Sequence, residues 1–192
     1  DTEDDNESAP PEIIAAAPTA VTTPIQEDEP LKEAHLTFQE NQKGVSYDRL
    51  FGPYVADASK ITLVDPYIRN FYQTRNFMEF LETIVRYKPS GDEVSVHLIT
   101  TEDDYRGDQQ KERFEQIQLS CEAIGITLTW ELASYGSIHG RHLITDHGWK
   151  IVLDRGLDIF LQYEMNDAFS FANRLQTKRS CKGFYVTYVR EE

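Results

Sequence analysis

The chain has 192 residues, 40% of them hydrophobic, 27% charged and 11% aromatic, a mix typical of one globular domain. No run approaches the roughly 18 to 20 apolar residues of a membrane span, and the first residues are acidic, unlike those of a signal peptide. Two cysteines, Cys121 and Cys181, are too few for a disulfide framework and lack metal-binding spacing. We therefore expect a soluble cytoplasmic domain with buried thiols and with no metal or cofactor.

The formal net charge of −14 is unevenly distributed along the chain. Residues 1–34 hold ten acids, one base, five of the eight prolines and neither an aromatic residue nor a glycine, which predicts a disordered acidic linker. A linker in this position favours a covalently attached upstream domain, and a free acidic tail is the alternative. Residues 35–192 carry a net charge of only −5, so nonspecific binding to nucleic acid is disfavoured and any anion site must be local.

Hydrophobic periodicity predicts a single α/β domain over residues 35–192. An edge strand at 35–39 comes first, followed by a short helix at 46–55 that Ser46 caps. Strands at 61–64, 94–100 and 126–132 then alternate with helices at 71–87 and 109–124, which favours a mixed, mostly parallel central sheet flanked by helices. The apolar stripes of the two long helices are predicted to cover the sheet, and they comprise Phe77, Phe80, Leu81, Ile84 and Val85 in the first and Phe114, Ile117, Cys121 and Ile124 in the second.

The C-terminal part breaks this alternation. Two β-rich runs at 141–145 and 149–153 flank a short turn that contains glycine, which predicts a hairpin, and a last strand follows at 183–189. Trp149, Phe160 and Phe169 are expected to lie in the core or at a dimer surface, because large aromatic side chains are seldom left exposed without a partner.

The run IHGRHLITDHGW contains the one suggestive cluster of reactive side chains. His139, Arg141 and Asp146 have the spacing H-x-R-x4-D, and residues two apart in an extended chain point to the same face, so His139 and Arg141 can meet one phosphate. Asp146 falls in the turn, where it could hold the imidazole ring or cap the hairpin. The interpretation as a phosphate-binding pocket stands beside a structural one, in which an Asp–His or Asp–Arg contact holds the hairpin.

This cluster resembles the H-x-K-x4-D motif of phospholipase D, in which two motifs supply an attacking histidine, a lysine and an acid histidine. Arg141 replaces the lysine, and a guanidinium binds phosphate in a bidentate way that a compact ammonium group does not. Leu153 and Asp154 occupy the positions of the motif's Gly-Ser pair, and Gly156 occupies that of its Asn. No second copy of the motif is present, so hydrolysis would need two chains, with Asp146 orienting the ring of His139.

Further runs carry a closer resemblance. LFGPY at 50–54, DPYIR at 65–69, RGLDIF at 155–160 and the closing CKGFYVTYV resemble the phospholipase D-like domain that follows the microtubule-interacting-and-trafficking (MIT) domain in cytokinesis proteins. The resemblance covers residues 35–192, whereas no MIT-type helical bundle is present in the sequence, so we expect a bacterial-type or otherwise MIT-less version. It implies a phospholipase D fold, a homodimer, loss of the catalytic set, and binding of acidic phospholipid head groups at the membrane periphery.

Three functional hypotheses follow from the residues and the resemblance. The first is a noncatalytic phospholipase D-like module that dimerises, binds a phosphate-bearing ligand and localises or regulates an upstream domain. The second is a phosphodiesterase or nuclease that is active as a dimer through His139. The third is an adaptor, since the family also occurs at the ends of bacterial Lon-like AAA+ proteins of phage defence.

Other candidate ligand-binding residues lie outside the motif. Asp65, Tyr67, Arg69 and Arg75 follow a buried strand, where open α/β sheets bind ligands, and the alternative is an Asp cap with a solvated helix face. Arg155 is a further candidate, although a local ion pair between Arg155 and Asp158 is the simpler interpretation.

Overall fold

The computed structural model describes residues 30–191. Most of the predicted linker therefore lies outside the described residues, and the first strand begins at Ala34, one residue before the predicted domain boundary. The strands are β1 (Ala34–Phe38), β2 (Lys60–Val64), β3 (Val94–Thr101), β4 (Ile126–Ala133), β5 (His142–Thr145), β6 (Trp149–Leu153) and β7 (Phe184–Arg190). The helices are α1 (Tyr47–Val55), α2 (Phe71–Tyr87), α3 (Gly107–Glu122) and the short α4 (Phe171–Arg174), which a 3-10 turn follows at Gln176–Lys178.

Within residues 30–191 the strands form one seven-stranded mixed sheet in the order β1-β7-β6-β5-β2-β3-β4. The mixed α/β fold predicted from the sequence is confirmed, and so is the hairpin of β5 and β6. The parallel part is smaller than expected, because only β2, β3 and β4 pair in parallel among the described strands. The remaining four pairings are antiparallel, namely β1–β7, β2–β5, β5–β6 and β6–β7.

Local sequence signals account for the starts of the first two helices. The Ser46 side chain accepts a hydrogen bond from the Arg49 amide at 3.2 Å and begins α1, as predicted. Asn70 and Gln73 form a reciprocal capping box at the start of α2. At Gly52 a Cβ atom would lie 2.3 Å from the ring of Tyr87, so the glycine of LFGPY lets α1 approach α2 closely.

One contiguous hydrophobic core contains the apolar side chains of the sheet and of the three longer helices. Its largest fully buried side chains are Tyr47, Phe51, Phe77, Phe80, Phe114 and Phe160. Trp149 and both cysteines are buried there too, as expected. Within residues 30–191, no helix combines the length and apolar character needed to cross a membrane.

Three predicted core positions are exposed instead. Val85 is 36% exposed because it lies at the edge of the apolar stripe near the end of α2. Ile124 is 41% exposed because α3 ends at Glu122, before the predicted stripe is complete. Phe169 is 97% exposed in the loop before α4, so its assignment to the core is wrong, while its place at a dimer surface stays a prediction.

Candidate functional site

Asp65 lies at the carboxyl end of β2, where the strand gives way to the loop before α2. It is 2% exposed. The Tyr67 amide donates to its Oδ1 at 3.0 Å and the Leu157 amide donates to its Oδ2 at 3.4 Å. Gly156 permits this approach, since a Cβ atom there would lie 2.0 Å from Oδ2, and its φ of +60° favours glycine. The carboxylate therefore joins the DPYIR and RGLDIF runs.

The electrostatics of Asp65 reflect this burial. Removal from water raises the pKa of Asp65 to about 6. The amide of Tyr67, the positive charge of Arg141 and the amide of Leu157 oppose that rise, while the charge of Asp158 adds to it. Asp65 is therefore a carboxyl group that can change its charge near neutral pH inside the site.

Arg141 lies immediately before β5, next to this carboxylate. Its guanidinium carbon is 4.3 Å from the centre of the Tyr67 ring, and its Nη1 donates to the Asp154 carbonyl at 3.0 Å. Arg69 approaches the same ring at 5.7 Å and lies 3.7 Å from an Asp104 oxygen. The structure thus brings Arg69 and Arg141 to one aromatic side chain, but of the two only Arg141 lines the cleft described next.

A cleft of about 210 Å³ opens beside these groups, and we call it the Arg141 cleft. It is lined by Asp65, Tyr67, Ile68, Gln73, Asn76, Arg141, Arg155, Leu157 and Asp158. Arg155 is exposed at this cleft, and its Nε donates to the Gly183 carbonyl at 2.8 Å. The predicted pairing of Arg155 with Asp158 is wrong, because Asp158 pairs with Lys182 at 2.8 Å.

The motif residues His139 and Asp146 do not meet. Asp146 accepts hydrogen bonds from the amide and hydroxyl of Ser59, and its own amide donates to the Lys60 carbonyl, at the beginning of β2. Arg141 lies beyond the opposite end of the β5 strand, roughly 16 Å away along an extended chain of five residues.

The predicted contact of Asp146 with His139 or Arg141 is therefore wrong, since β5 separates them and Ser59 takes the carboxylate. His139 is exposed in the loop before Arg141, and no hydrogen bond orients its ring within residues 30–191. The ring-orienting role that the phosphodiesterase hypothesis gave to Asp146 has no basis in this geometry.

Arg75 is also separate from the cleft. Its guanidinium donates to the Met165 carbonyl at 3.0 Å and to the side chain of Asn173, and it lies 3.8 Å from a Glu79 oxygen. These contacts connect α2 to α4 and to the loop that precedes it. Arg75 is therefore a structural residue, and its prediction as a ligand-binding residue is not supported by its position.

The sequence interpretation missed Asn76 and Gln73, which line the cleft from α2. Asn76 is 1% exposed, and neither polar atom of its amide makes a hydrogen bond of normal geometry among the described residues. Asn76, Glu79 and Thr83 are buried polar residues spaced three and four apart beside the apolar stripe of α2. That pattern was the available sequence signal for Asn76. From sequence alone, however, it is equally typical of the solvent-exposed face of a helix.

The described part of the chain, residues 30–191, contains no cluster of three or more His, Cys, Asp or Glu side chains that could hold a metal ion. What the Arg141 cleft offers instead is a set of fixed hydrogen-bond donors. Guanidinium groups form charge-assisted hydrogen bonds to phosphate or carboxylate oxygens, so the cleft is suited to hold an anion.

The fold and the comparisons together define a phospholipase D-like domain. A family model described as the phospholipase D-like domain at the C-terminus of MIT matches residues 44–190. The chain belongs to this family, which confirms the resemblance read from LFGPY, DPYIR and RGLDIF.

Two similar proteins illustrate the relationship. MIT domain-containing protein 1 of Mus musculus is 35% identical over 127 residues, which are 65% of this chain and 49% of the mouse protein. The chain thus spans about half the length of this curated relative. The crystal structure of phosphatidylserine synthase from Haemophilus influenzae Rd KW20 aligns with a TM-score of 0.43 at 7% identity, covering 83% of this chain and 34% of the synthase chain.

Proposed function

We propose that this chain is a noncatalytic phospholipase D-like module that binds a phosphate-bearing ligand, an acidic phospholipid head group, in the Arg141 cleft. The observation that carries the proposal is the guanidinium of Arg141, which is held over the Tyr67 ring at 4.3 Å and lines the cleft. A guanidinium fixed in this way loses little conformational freedom when it binds an anion. Arg155 adds a second cation at the same cleft.

The local charge supports an anion at this position although residues 35–192 are acidic as a whole. Asp65 and Asp158 also line the cleft, but Asp158 is paired with Lys182 and Asp65 accepts hydrogen bonds from the amides of Tyr67 and Leu157. A small pocket with two guanidinium groups can therefore attract one phosphate group without a broad basic surface. Such a site favours one head group over a long nucleic-acid backbone.

The departures from the phospholipase D motif support a role without hydrolysis. Arg141 stands where the motif has lysine, and Asp146 is bonded to Ser59 rather than to His139. Within this proposal the domain acts at the cytoplasmic membrane periphery and localises or regulates a covalently attached upstream domain. The membership of MIT-domain proteins in the family supports that attachment.

Homodimerisation is part of the proposal and is carried over from the family resemblance. Light scattering during gel filtration tests it directly, because one chain has a mass of 22.2 kDa. A mass near twice that value is expected, whereas a single-chain mass at micromolar concentration would contradict the dimer.

The ligand proposal is tested by co-sedimentation with neutral liposomes and with liposomes that contain acidic phospholipids, over a range of salt concentrations. The chain is expected to bind the acidic liposomes in a salt-sensitive manner, and Arg141→Ala is expected to lose that binding. Arg86→Ala is the matched control, because it removes the same charge from the distal end of α2. Equal losses in both variants, or binding that Arg141→Ala leaves intact, would contradict the site.

A further inference from the structure

The buried polar atoms without a partner converge on one region. Among residues 30–191, four buried side-chain atoms make no hydrogen bond, namely Nδ2 and Oδ1 of Asn76, Oδ1 of Asp158 and the hydroxyl oxygen of Tyr163. Asn76 and Asp158 line the Arg141 cleft. Asp158 and Tyr163 line a second cavity of about 620 Å³, and Gln73 and Asp158 line both. The residues that carry these four atoms therefore line two neighbouring cavities.

Such atoms are unfavourable unless something fills their hydrogen-bonding capacity, because they lost water on folding. The fold supplies Asn76 with a nearby hydroxyl but with no hydrogen bond of normal geometry among the described residues. The Tyr72 hydroxyl is its polar neighbour, and interaction with Asn76 offsets part of the rise in the pKa of Tyr72, which burial and the charge of Asp158 raise to about 12. The Tyr72 hydroxyl lies 3.4 Å from the Phe160 carbonyl, its hydrogen-bond acceptor.

The carboxylate at this end of the site already has a counter-ion. Lys182 pairs with the other oxygen of Asp158 at 2.8 Å. A further full charge beside Asp158 would therefore lack a counter-ion, unlike a phosphate beside Arg141 and Arg155.

Three groups make no hydrogen bond of normal geometry, namely the amide of Asn76, one carboxylate oxygen of Asp158 and the phenol hydroxyl of Tyr163. The Asn76 amide still interacts with Tyr72, and the Tyr163 hydroxyl with Glu79. Aliphatic hydroxyl groups complement this set, because each both donates and accepts.

We propose that Asn76, Asp158 and Tyr163 form a second subsite that binds the hydroxyl-bearing organic part of the ligand whose phosphate lies at Arg141. This inference rests on the proposed function, since it assigns the remainder of the same ligand. The two cavities share residues, so a phosphate at the arginines leaves its hydroxylated group beside Asn76. The subsite predicts selectivity for hydroxylated phosphate esters over phosphate esters that carry no hydroxyl group.

The test is calorimetric titration of the full chain with two phosphate monoesters of equal charge, methyl phosphate and glycerol 3-phosphate. Glycerol 3-phosphate is expected to bind about tenfold more tightly, as one or two additional hydrogen bonds allow. In Asn76→Leu that ratio is expected to fall to about one, because the affinity for glycerol 3-phosphate falls more than the affinity for methyl phosphate. Tyr163→Phe removes a single hydroxyl group and is expected to reduce the ratio in part.

The stability of Asn76→Leu separates this subsite from a structural role. Removing an unpaired buried amide is expected to leave the thermal midpoint unchanged or to raise it, whereas loss of a needed structural bond would lower it. Equal affinities of the two esters for the wild-type chain would overturn the subsite and would mean that water fills the positions beside Asn76, Asp158 and Tyr163. The proposed function would remain intact in that case. If neither ester binds, the proposed function fails and the subsite fails with it.

Discussion

The guanidinium of Arg141 stacks on Tyr67, with 4.3 Å between the guanidinium carbon and the centre of the ring. Contacts of this kind contribute about 0.5 to 2 kcal/mol, depending on how far water is excluded. The ring therefore fixes the cation at the end of β2, and Arg69 approaches the same ring at 5.7 Å. Tyr67 belongs to the DPYIR run, so this run positions the candidate site.

Gly156→Ala is expected to destabilise the fold more than an alanine at an unobstructed glycine. Its Cβ would lie 2.0 Å from Asp65 Oδ2, and its φ of +60° adds strain. Gly91→Ala is the matched control, because Gly91 has a φ of +88° but no atom within 4 Å of the added Cβ. Urea unfolding should give a loss of about 1 to 2 kcal/mol for the control and a loss larger by about 2 kcal/mol or more for Gly156→Ala. Equal losses would mean that the Asp65 contact is unimportant.

Asp65 is expected to make stability depend on pH with a definite sign. Burial raises the pKa of Asp65 from 3.8 to about 6, so the folded chain holds this proton more tightly than the unfolded chain. Its contribution is fully present below about pH 4 and is lost as pH rises to about 6 and above, by on the order of 3 kcal/mol. Asp65→Asn should flatten that part of the curve in denaturant titrations at successive pH values. Parallel curves for the two chains would contradict the raised pKa.

Glu79→Gln is expected to be strongly destabilising. Glu79 receives two hydrogen bonds from the buried guanidinium of Arg179, at 2.6 and 2.9 Å, and the change leaves that cation without its carboxylate. Breaking a buried pair in this way costs about 3 to 5 kcal/mol. Glu82→Gln provides the comparison, since Glu82 makes an exposed contact with Arg86 at 3.6 Å and should cost less than about 0.5 kcal/mol. Chemical denaturation measures both, and similar losses would show that the Glu79 pair is not stabilising.

The order of strands and helices was predictable because each element carries its own periodicity and end signals. The Ser46 cap, the buried run of β2 and the stripe at Phe77, Phe80 and Ile84 all lie where local chemistry placed them. The pairing partners of β1 and β7 were not predictable, because residues 34–38 and 184–190 meet only through the sheet. The antiparallel part is larger than expected because this pairing adds to those of β2 with β5, β5 with β6 and β6 with β7.

The candidate site was predictable only in part for the same reason. Arg141 was identified from the motif spacing and Arg69 from its position after a strand, and both approach the Tyr67 ring. A contact between Asp146 and Arg141 was predicted from their spacing alone. Strand β5 lies between the two residues, so they are at its opposite ends. The spacing of Asn76, Glu79 and Thr83 does not distinguish a site from a solvated helix face, because the burial of Asn76 depends on segments that are distant in sequence.

The most direct measurement of the central claim is the nuclear magnetic resonance spectrum of the chain during titration with a soluble short-chain acidic phospholipid. The account predicts that the side-chain Nε–Hε signal of Arg141 and the backbone amides of Tyr67 and Leu157 shift together and saturate with one affinity. Shifts confined to other surfaces, with these signals unchanged at saturation, would contradict a phosphate-binding site in the Arg141 cleft.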